Sequence, residues 1–242
     1  MGRTVVFANQ KGGVGKTTTA VNLGAYLAAA GRKVLLIDFD PQGMATAGLG
    51  KAKEPNKGIY QAMMNGADVM DLIVATEIEN LYLCPCSPEL DGIEAELFSK
   101  EDRERKLRQA LDRIRAKFNF VLIDCPPSLG LLTVNALAAA NSVLIPIQCE
   151  YYALEGLGYL LNTVKLVKAK LNPDLALGGI LLTMFDVRNS LSHRVMEDVC
   201  KHLGNKVFKT IIPRNVRLSE SPSHGLPIIL YDIKSRGAIA YM

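Results

Sequence analysis

A loop near the amino terminus has the residue types and spacing needed to hold phosphate. It comprises Lys11, Gly12, Gly13, Val14, Gly15, Lys16, Thr17 and Thr18. The glycines let backbone N–H groups turn inward around phosphate oxygens, and the start of a following helix adds partial positive charge. Lys16 can neutralise the outer phosphates, and the hydroxyl of Thr17 can ligate Mg²⁺. Because an apolar run precedes the loop and a helical pattern follows it, the sequence predicts a nucleotide-binding site.

The first lysine of this loop departs from the general phosphate-loop pattern. Where that pattern begins with glycine, this sequence has Gln10 or Lys11. Lys11 cannot easily fold back onto phosphates that Lys16 already holds, and it is well placed to reach a nucleotide in a facing subunit. The alternative is a solvated lysine on an ordinary loop.

Carboxylates follow two further apolar runs at the points where strands are predicted to end. Asp38 and Asp40 follow one run, and Asp124 follows another. Asp124 is placed to hold Mg²⁺ through water, because Mg²⁺ sheds its waters reluctantly. Asp38 and Asp40 point in alternate directions along an extended chain, so one can face the nucleotide while the other supports the loop. Asp38 is therefore a second candidate magnesium ligand, and the alternative for each aspartate is a helix cap or a turn.

Four motifs together resemble one family of P-loop ATPases. They are Lys-Gly-Gly-x-Gly-Lys-Thr-Thr, Asp-x-Asp-Pro-Gln, Asp-x-Pro-Pro and Pro-Arg-Asn, which begin at residues 11, 38, 124 and 213. The sequence is similar throughout to the family that contains the partition ATPases ParA and Soj, the septum-site protein MinD and nitrogenase iron protein. The resemblance implies ATP and Mg²⁺ as ligands, a homodimer in the ATP-bound form, and hydrolysis of ATP to ADP and phosphate.

The resemblance also implies a role for individual residues. Lys11 contacts phosphate across the dimer, Lys16 holds the phosphates of its own subunit, and Asp40 orients the attacking water. Pro213 and Asn215 border the adenine, where an amide can pair with the base edge; the alternative for both is a structural turn before a short helix. Nothing in the motifs resembles a strong general base, so we expect slow intrinsic turnover that suits a switch.

The carboxyl-terminal quarter carries all of the excess positive charge. Residues 181–242 contain nine Lys/Arg and five Asp/Glu, a balance of +4, whereas residues 1–180 contain 19 of each. Arginines in this region of the chromosomal family members bind DNA without sequence preference, and the resemblance implies this role for Arg188, Arg217 and Arg214. Binding of that kind needs only a basic surface that contacts phosphates. A ParB/Spo0J-like protein is the implied partner that stimulates hydrolysis.

Length and composition favour a single α/β domain over residues 1–242. The chain has 242 residues, of which 49% are hydrophobic and 21% charged, as in ordinary globular proteins. No uninterrupted apolar run is long enough to span a membrane, and the first strand begins at once. With five cysteines and no leader, we expect a cytoplasmic, nucleoid-associated protein without stable membrane association. Cysteine and histidine spacing does not favour any metal other than Mg²⁺.

Near-continuous apolar runs that alternate with helical patterns predict a doubly wound, mostly parallel sheet flanked by helices, of the P-loop NTPase type. The predicted strands are Thr4–Ala8, Lys33–Ile37, Leu81–Pro85, Phe120–Ile123, Ser142–Ile147, Leu177–Met184 and Val207–Thr210. The predicted helices are Lys16–Ala30, Gly58–Asn65, Lys100–Lys117, Leu132–Ala139, Leu154–Leu171 and Ser192–Leu203.

Two other functions remain open from the sequence. A MinD-like positioning ATPase would end in a basic amphipathic helix that inserts into a bilayer, and this chain stops at Tyr241-Met242 without one. The family continues past residues 235–238 into a final helix, and we expect that helix to be cut short here, which leaves the membrane function open. A metabolic P-loop enzyme would need a substrate pocket, and no residues of the sequence demand one.

Overall fold

An eight-stranded sheet forms the centre of the molecule in the computed structural model, which describes residues 2–150 and 153–242. The strand order is β3-β4-β2-β5-β1-β6-β7-β8, and only the short β3 is antiparallel to its neighbour. The strands are β1 Arg3–Phe7, β2 Val34–Asp38, β3 Val74–Ala75, β4 Leu81–Cys84, β5 Phe120–Asp124, β6 Ser142–Gln148, β7 Ala176–Phe185 and β8 Val207–Pro213. This architecture confirms the predicted fold class.

Helices cover both faces of the sheet. They are α1 Lys16–Ala29, α2 Met44–Gly48, α3 Ile59–Met64, α4 Val69–Leu72, α5 Ile93–Phe98, α6 Lys106–Asp112, α7 Leu131–Ala139, α8 Ala153–Lys170, α9 Ser190–Leu203, α10 Val216–Glu220, α11 Ile228–Tyr231 and α12 Arg236–Tyr241. In the described ranges, none of these helices combines the length and the apolarity needed to cross a membrane.

The central strands are buried on both faces, which explains their unbroken apolar sequences. All five residues of β2 are buried. Leu35 and Ile37 of this strand belong to one hydrophobic core, and Leu36 belongs to the core on the opposite face. The sheet is therefore a rigid partition between two packed layers, and polar groups at its carboxyl edge are held in fixed positions.

The prediction of one long helix over residues 100–117 is wrong. Residues 100–105 form turns, α6 begins only at Lys106, and a 3₁₀ turn follows at Arg115–Lys117. A tertiary contact explains the late start: the amide of Asn135 donates to the carbonyl of Arg103 (2.7 Å) and accepts from the N–H of Leu107 (3.2 Å). Two backbone groups are thus satisfied outside a helix, which a local charge pattern cannot reveal.

Other boundaries differ less. The last predicted strand continues to Pro213 rather than Thr210, and the remaining predicted strands and helices agree with the structure within two residues. The sequence pattern missed β3 and the short helices α2, α4, α5 and α11, because two to six residues are too few to establish a period. The short helix that the structural alternative places after Asn215 is α10, and the shortened final helix is α12.

Helix α1 joins the phosphate-loop region to the carboxyl-terminal segment through two buried contacts. The side chain of Asn22 donates to the carbonyl of Thr18 (2.8 Å) and accepts from the N–H of Ile228 (2.7 Å). Three residues earlier on the same helix, the hydroxyl of Thr19 bonds with the hydroxyl of Tyr241 (3.0 Å). The segment from α10 to α12 is therefore fixed to the helix that begins at the phosphate loop.

Replacing Asn22 with alanine should loosen this segment. The buried N–H of Ile228 would lose its acceptor, so we expect the free energy of unfolding to fall by about 1–3 kcal/mol. Urea denaturation followed by circular dichroism measures this loss. The matched control is Asn162→Ala on the exposed face of α8, and equal shifts in both variants would contradict the role assigned to Asn22.

Candidate functional site

The phosphate loop connects the end of β1 to the start of α1. Gly13 (φ 70°) and Gly15 (φ 88°) adopt the left-handed conformation, in which other residues are strained. Gly15 is also the N-cap residue of α1, and no described side chain caps that helix. The first N–H groups of α1 are therefore available to an anion at the point where the helix dipole is positive.

A cavity of about 740 Å³ lies against this loop. Its walls include Gly12, Gly13, Gly15, Lys16, Thr17, Thr18, Asp40, Pro213, Arg214 and Asn215. The structure thus brings together most of the residues that the sequence predicted to bind a nucleotide, although they lie up to two hundred positions apart. The side chain of Val14 is instead buried beneath the loop.

Lys16 is the buried cation of the cavity. It is 6% exposed, and its Nζ donates to the carbonyl of Lys11 (3.2 Å). Burial lowers the pKa of Lys16, and the nearby carboxylates of Asp124 and Asp40 oppose this change. A phosphate oxygen near Nζ would supply the compensating negative charge that burial demands.

Asp38 supports the loop that carries Asp40. Its Oδ2 accepts hydrogen bonds from the N–H and the hydroxyl of Thr46, both at 2.6 Å. The Thr46 hydroxyl also accepts from the N–H of Cys86 (3.0 Å). Burial is the main cause that raises the pKa of Asp38 to about 6, against these hydrogen bonds. Of the two alternatives for Asp38, loop support is the one that its contacts favour.

Asp124 is fully buried, and within the described residues neither of its carboxylate oxygens has a hydrogen-bond partner of ordinary geometry. Burial, followed by the charge of Asp38, raises the pKa of Asp124 well above its usual value. The Thr17 hydroxyl and the Lys16 ammonium act in the opposite direction. A buried carboxylate without a partner is costly, so this position fits a hydrated divalent cation held between Asp124 and Thr17.

Asp40 lies on a loop that is held from outside the cavity. Its Oδ1 accepts from the N–H of Gln42 (3.0 Å), and the side chain is 7% exposed. Lys53 donates to the carbonyl of Pro41 (2.9 Å), and its aliphatic carbons lie where a side chain at Gly43 would be. The cavity wall therefore includes a carboxylate whose second oxygen can contact water.

Lys11 points away from the phosphate cavity of its own chain. Its ammonium forms an ion pair with Glu150, and both side chains are about half exposed (44% and 48%). Gln148 donates to the other carboxylate oxygen of Glu150 (2.6 Å). This geometry agrees with the expectation that Lys11 does not fold back onto phosphates held by Lys16. No pattern in the sequence indicates its partner, Glu150.

Thr183, at the end of β7, contacts the underside of the phosphate loop. Its hydroxyl donates to the carbonyl of Val14 (2.8 Å), and its side-chain carbons lie 3.7–3.8 Å from the position that a Cβ on Gly15 would occupy. The next residue, Met184, has φ 50°, an unusual conformation for a side chain of this kind. Sequence reasoning missed Thr183; the signal was a polar residue at the end of a long apolar strand.

Pro213 and Asn215 line the same cavity as the phosphate loop. Asn215 is the N-cap of α10, and its Oδ1 accepts from the N–H of Leu218 (3.2 Å). The structural alternative for Asn215 therefore holds, since the residue caps a short helix. The residue also lines the cavity, and its contact with adenine stays a prediction. Its amide nitrogen has no described partner in the protein, so it can donate to a ligand.

The three arginines predicted to bind DNA follow the carboxyl ends of the neighbouring strands β7 and β8. Arg188 forms a two-point ion pair with Asp186, and Arg217 pairs with Glu220 (2.9 Å). Arg214 is exposed, and its side chain makes no ion pair within the described part of the chain. The three residues share one edge of the sheet with the nucleotide cavity.

Replacing Thr183 with valine should weaken nucleotide binding while preserving the shape of the side chain. The carbonyl of Val14 would lose its donor, so we expect affinity for ATP to fall about three- to tenfold as the loop loosens. Titration with a fluorescent ATP analogue measures this change. Thr163→Val, which removes a hydroxyl bonded to the carbonyl of Tyr159 on α8, is the control. Unchanged affinity in Thr183→Val would overturn the positioning role.

Comparison with known proteins places this site in a family. Residues 2–177 match the family model described as an AAA domain. The sporulation initiation inhibitor protein Soj of Bacillus subtilis (strain 168) is 56% identical over 243 aligned residues, which cover 100% of this chain and 96% of Soj. The chromosome partitioning protein ParA of Myxococcus xanthus (strain DK1622) is also 56% identical, with 100% and 86% covered.

Solved structures agree on the fold. Cobyrinic acid a,c-diamide synthase from Mycobacterium smegmatis, with bound ADP and magnesium, has a TM-score of 0.87 and 40% identity, and the match covers 100% of this chain and 91% of that one. The cell division ATPase MinD of Pyrococcus furiosus has a TM-score of 0.81 and 28% identity, with 100% and 95% covered. The partition proteins are the more similar in sequence and match from end to end. Together with the phosphate loop, the strand-end aspartates and the mostly parallel sheet, this similarity shows that the chain belongs to the Soj/ParA family of chromosome-partitioning P-loop ATPases.

Proposed function

We propose that the chain is an ATP-operated switch for DNA partition, in which two ATP-loaded copies form a dimer that binds DNA non-specifically and hydrolysis releases it. The observation that carries the proposal is the cavity at the carboxyl edge of the sheet. It combines the phosphate loop, the buried Lys16 and the carboxylate of Asp40, and it lies beside the buried Asp124 and the predicted DNA-binding arginines. Phosphoryl transfer depends on positioning and charge neutralisation, which this arrangement provides.

ATP and Mg²⁺ are the ligands of the site. The N–H groups of the phosphate loop and the ammonium of Lys16 would hold the phosphates, and Thr17 and Asp124 would hold the cation, Asp124 through water. Mg²⁺ neutralises phosphate charge when bound. Asp40 accepts a hydrogen bond from the attacking water through the oxygen that the N–H of Gln42 does not use. Pro213 packs on the adenine, and Asn215 donates to its edge.

Dimer formation completes the site through Lys11. In the single chain this lysine is paired with Glu150 at the surface, so both groups are accessible to a second copy. An exposed ion pair is worth little, and the more concentrated negative charge of a nucleotide across the interface can replace it. Hydrolysis removes the γ-phosphate, and the interface then loses the contact that holds it.

DNA binding uses the edge of the sheet that carries Arg188, Arg214 and Arg217. In a dimer two such edges contact phosphates together, so the protein binds DNA strongly only in its ATP form. A ParB/Spo0J-like partner stimulates hydrolysis and resets the switch. Because it binds DNA in its ATP form, the protein is associated with the nucleoid in the cytoplasm.

DNA retention with ATP or with ADP, at two salt concentrations, tests this function. We expect binding that needs ATP and weakens with salt. Arg214→Ala should reduce affinity alike for all sequences and lower the salt slope by about one unit per lost phosphate contact. Arg32→Ala is the matched control, because Arg32 is exposed after α1, at the amino edge of the sheet. ATP-driven dimers that do not retain DNA would refute the partition function. Binding to liposomes would then test the membrane-associated alternative.

Asp40→Ala should separate nucleotide binding from hydrolysis. Because Asp40 orients water rather than holding phosphate, we expect ATP turnover to fall at least about 100-fold while ATP-dependent dimers and their DNA complexes persist. Phosphate release and size-exclusion chromatography with ATP measure the two effects. Turnover close to that of the unmodified chain would remove Asp40 from the mechanism.

A further inference from the structure

Arg188, one of the predicted DNA-binding residues, is held by a carboxylate of its own loop. Its Nε donates to Oδ1 of Asp186 (3.0 Å) and its Nη2 donates to Oδ2 (2.9 Å), so the guanidinium and the carboxylate meet in a two-point contact. The backbone N–H of Arg188 also donates to Asp186 (3.0 Å). This is the geometry in which an arginine binds a phosphate group, so Asp186 occupies the edge of the guanidinium that DNA would use.

Arg217 is also paired with carboxylates of its own chain, here two different ones. Glu220 accepts from its Nη1 (2.9 Å), and Asp232 lies 3.4 Å from its Nε. The hydroxyl of Tyr231 donates to Glu220 (3.1 Å) and helps to fix that carboxylate. Two of the three predicted DNA contacts are therefore neutralised within the chain, by carboxylates from the same surface.

The Asp186–Arg188 pair is suited to exchange. The side chain of Arg188 is 86% exposed, while that of Asp186 is 24% exposed, so the carboxylate stays in place and the arginine can turn outward. Hydrogen bonds from Arg188 lower the pKa of Asp186 to about 2, and the carboxylate is therefore charged at any pH at which the protein works. An exposed ion pair contributes little to stability, so a DNA phosphate can displace it.

The loop that holds Asp186 is also attached to the nucleotide site. Thr183, three residues earlier, bonds to the carbonyl of Val14 in the phosphate loop (2.8 Å), and the strained Met184 lines the cavity. The carbonyl of Phe185 accepts from the N–H of Arg214 (3.0 Å), which places the exposed Arg214 beside the pair. The end of β7 thus fixes the position of Asp186 relative to both the phosphate loop and the basic surface.

We infer that Asp186 is autoinhibitory for DNA binding: its carboxylate competes with DNA phosphate for the guanidinium of Arg188 and keeps the DNA affinity of each protomer low. The inference rests on the proposed function and concerns the regulation of that same surface. A low affinity per protomer makes retention depend on the dimer, in which two surfaces act together. Asp186 thereby increases the difference in DNA retention between the ATP-bound dimer and the single chain.

The test uses Asp186→Asn, which keeps the shape of the side chain and removes its charge. Fluorescence anisotropy with a labelled random-sequence duplex and a non-hydrolysable ATP analogue measures affinity. We expect DNA to bind about two- to fivefold more tightly per protomer, the range that corresponds to release of an exposed ion pair. Glu54→Gln is the matched control, because it removes the same charge from an exposed pair with Lys57 (2.7 Å) and should leave affinity unchanged.

A double-mutant cycle with Arg188→Gln shows whether the gain acts through the arginine. We expect Asp186→Asn to have no effect when Arg188 is absent. An equal gain in DNA affinity with and without Arg188, or no gain with Arg188 present, would overturn the autoinhibitory role of Asp186. Failure of the unmodified chain to bind DNA with the ATP analogue would instead refute the proposed function, so the two failures are distinguishable.

Discussion

The burial of Asp38 and Asp124 opposite one buried lysine is the constraint on which the rest of the structure depends. The two aspartates are register partners at the ends of β2 and β5, and both are fully buried. Burial raises the pKa of each carboxyl and lowers that of Lys16. Burial therefore disfavours the charged form of all three groups, and each needs a nearby opposite charge to stay ionised. Phosphates near Lys16 and a divalent cation near Asp124 would supply the compensating charges, as the proposed function requires.

A rigid connection from the phosphate loop to the basic surface follows from the same arrangement. Thr183 holds the loop from the end of β7, and Thr19 on α1 bonds with Tyr241 in α12. The phosphate loop and the exposed arginines that follow β7 and β8 are therefore only a few bonds apart, although the sequence separates them widely. Such a connection allows events at the nucleotide to change the position or partners of surface arginines, which is what a switch requires.

Much of the fold followed from the sequence, because parallel strands buried on both faces leave near-continuous apolar runs. The errors arose where a distant side chain decided the local structure. Residues 100–105 have a helical charge pattern, yet Asn135 of α7 bonds to the carbonyl of Arg103 and to the N–H of Leu107, which would bond to each other in a continuous helix. The short helices near Asn215 have no period of their own: Asn215 caps α10, and the N–H of Ile228 at the start of α11 bonds to Asn22 on α1.

The sequence by itself determined the chemistry of the phosphate loop, the order of the strand-end aspartates and the parallel sheet, since each depends on residues close together in the chain. Only the tertiary structure decided that Asp38 supports a loop while Asp124 is left without a described partner. It likewise decided that Lys11 pairs with Glu150 and that Thr183 holds the phosphate loop. The contacts of Lys11 and Thr183 join residues more than a hundred positions apart. A single hydrogen bond or ion pair at that separation leaves no periodic pattern in the sequence.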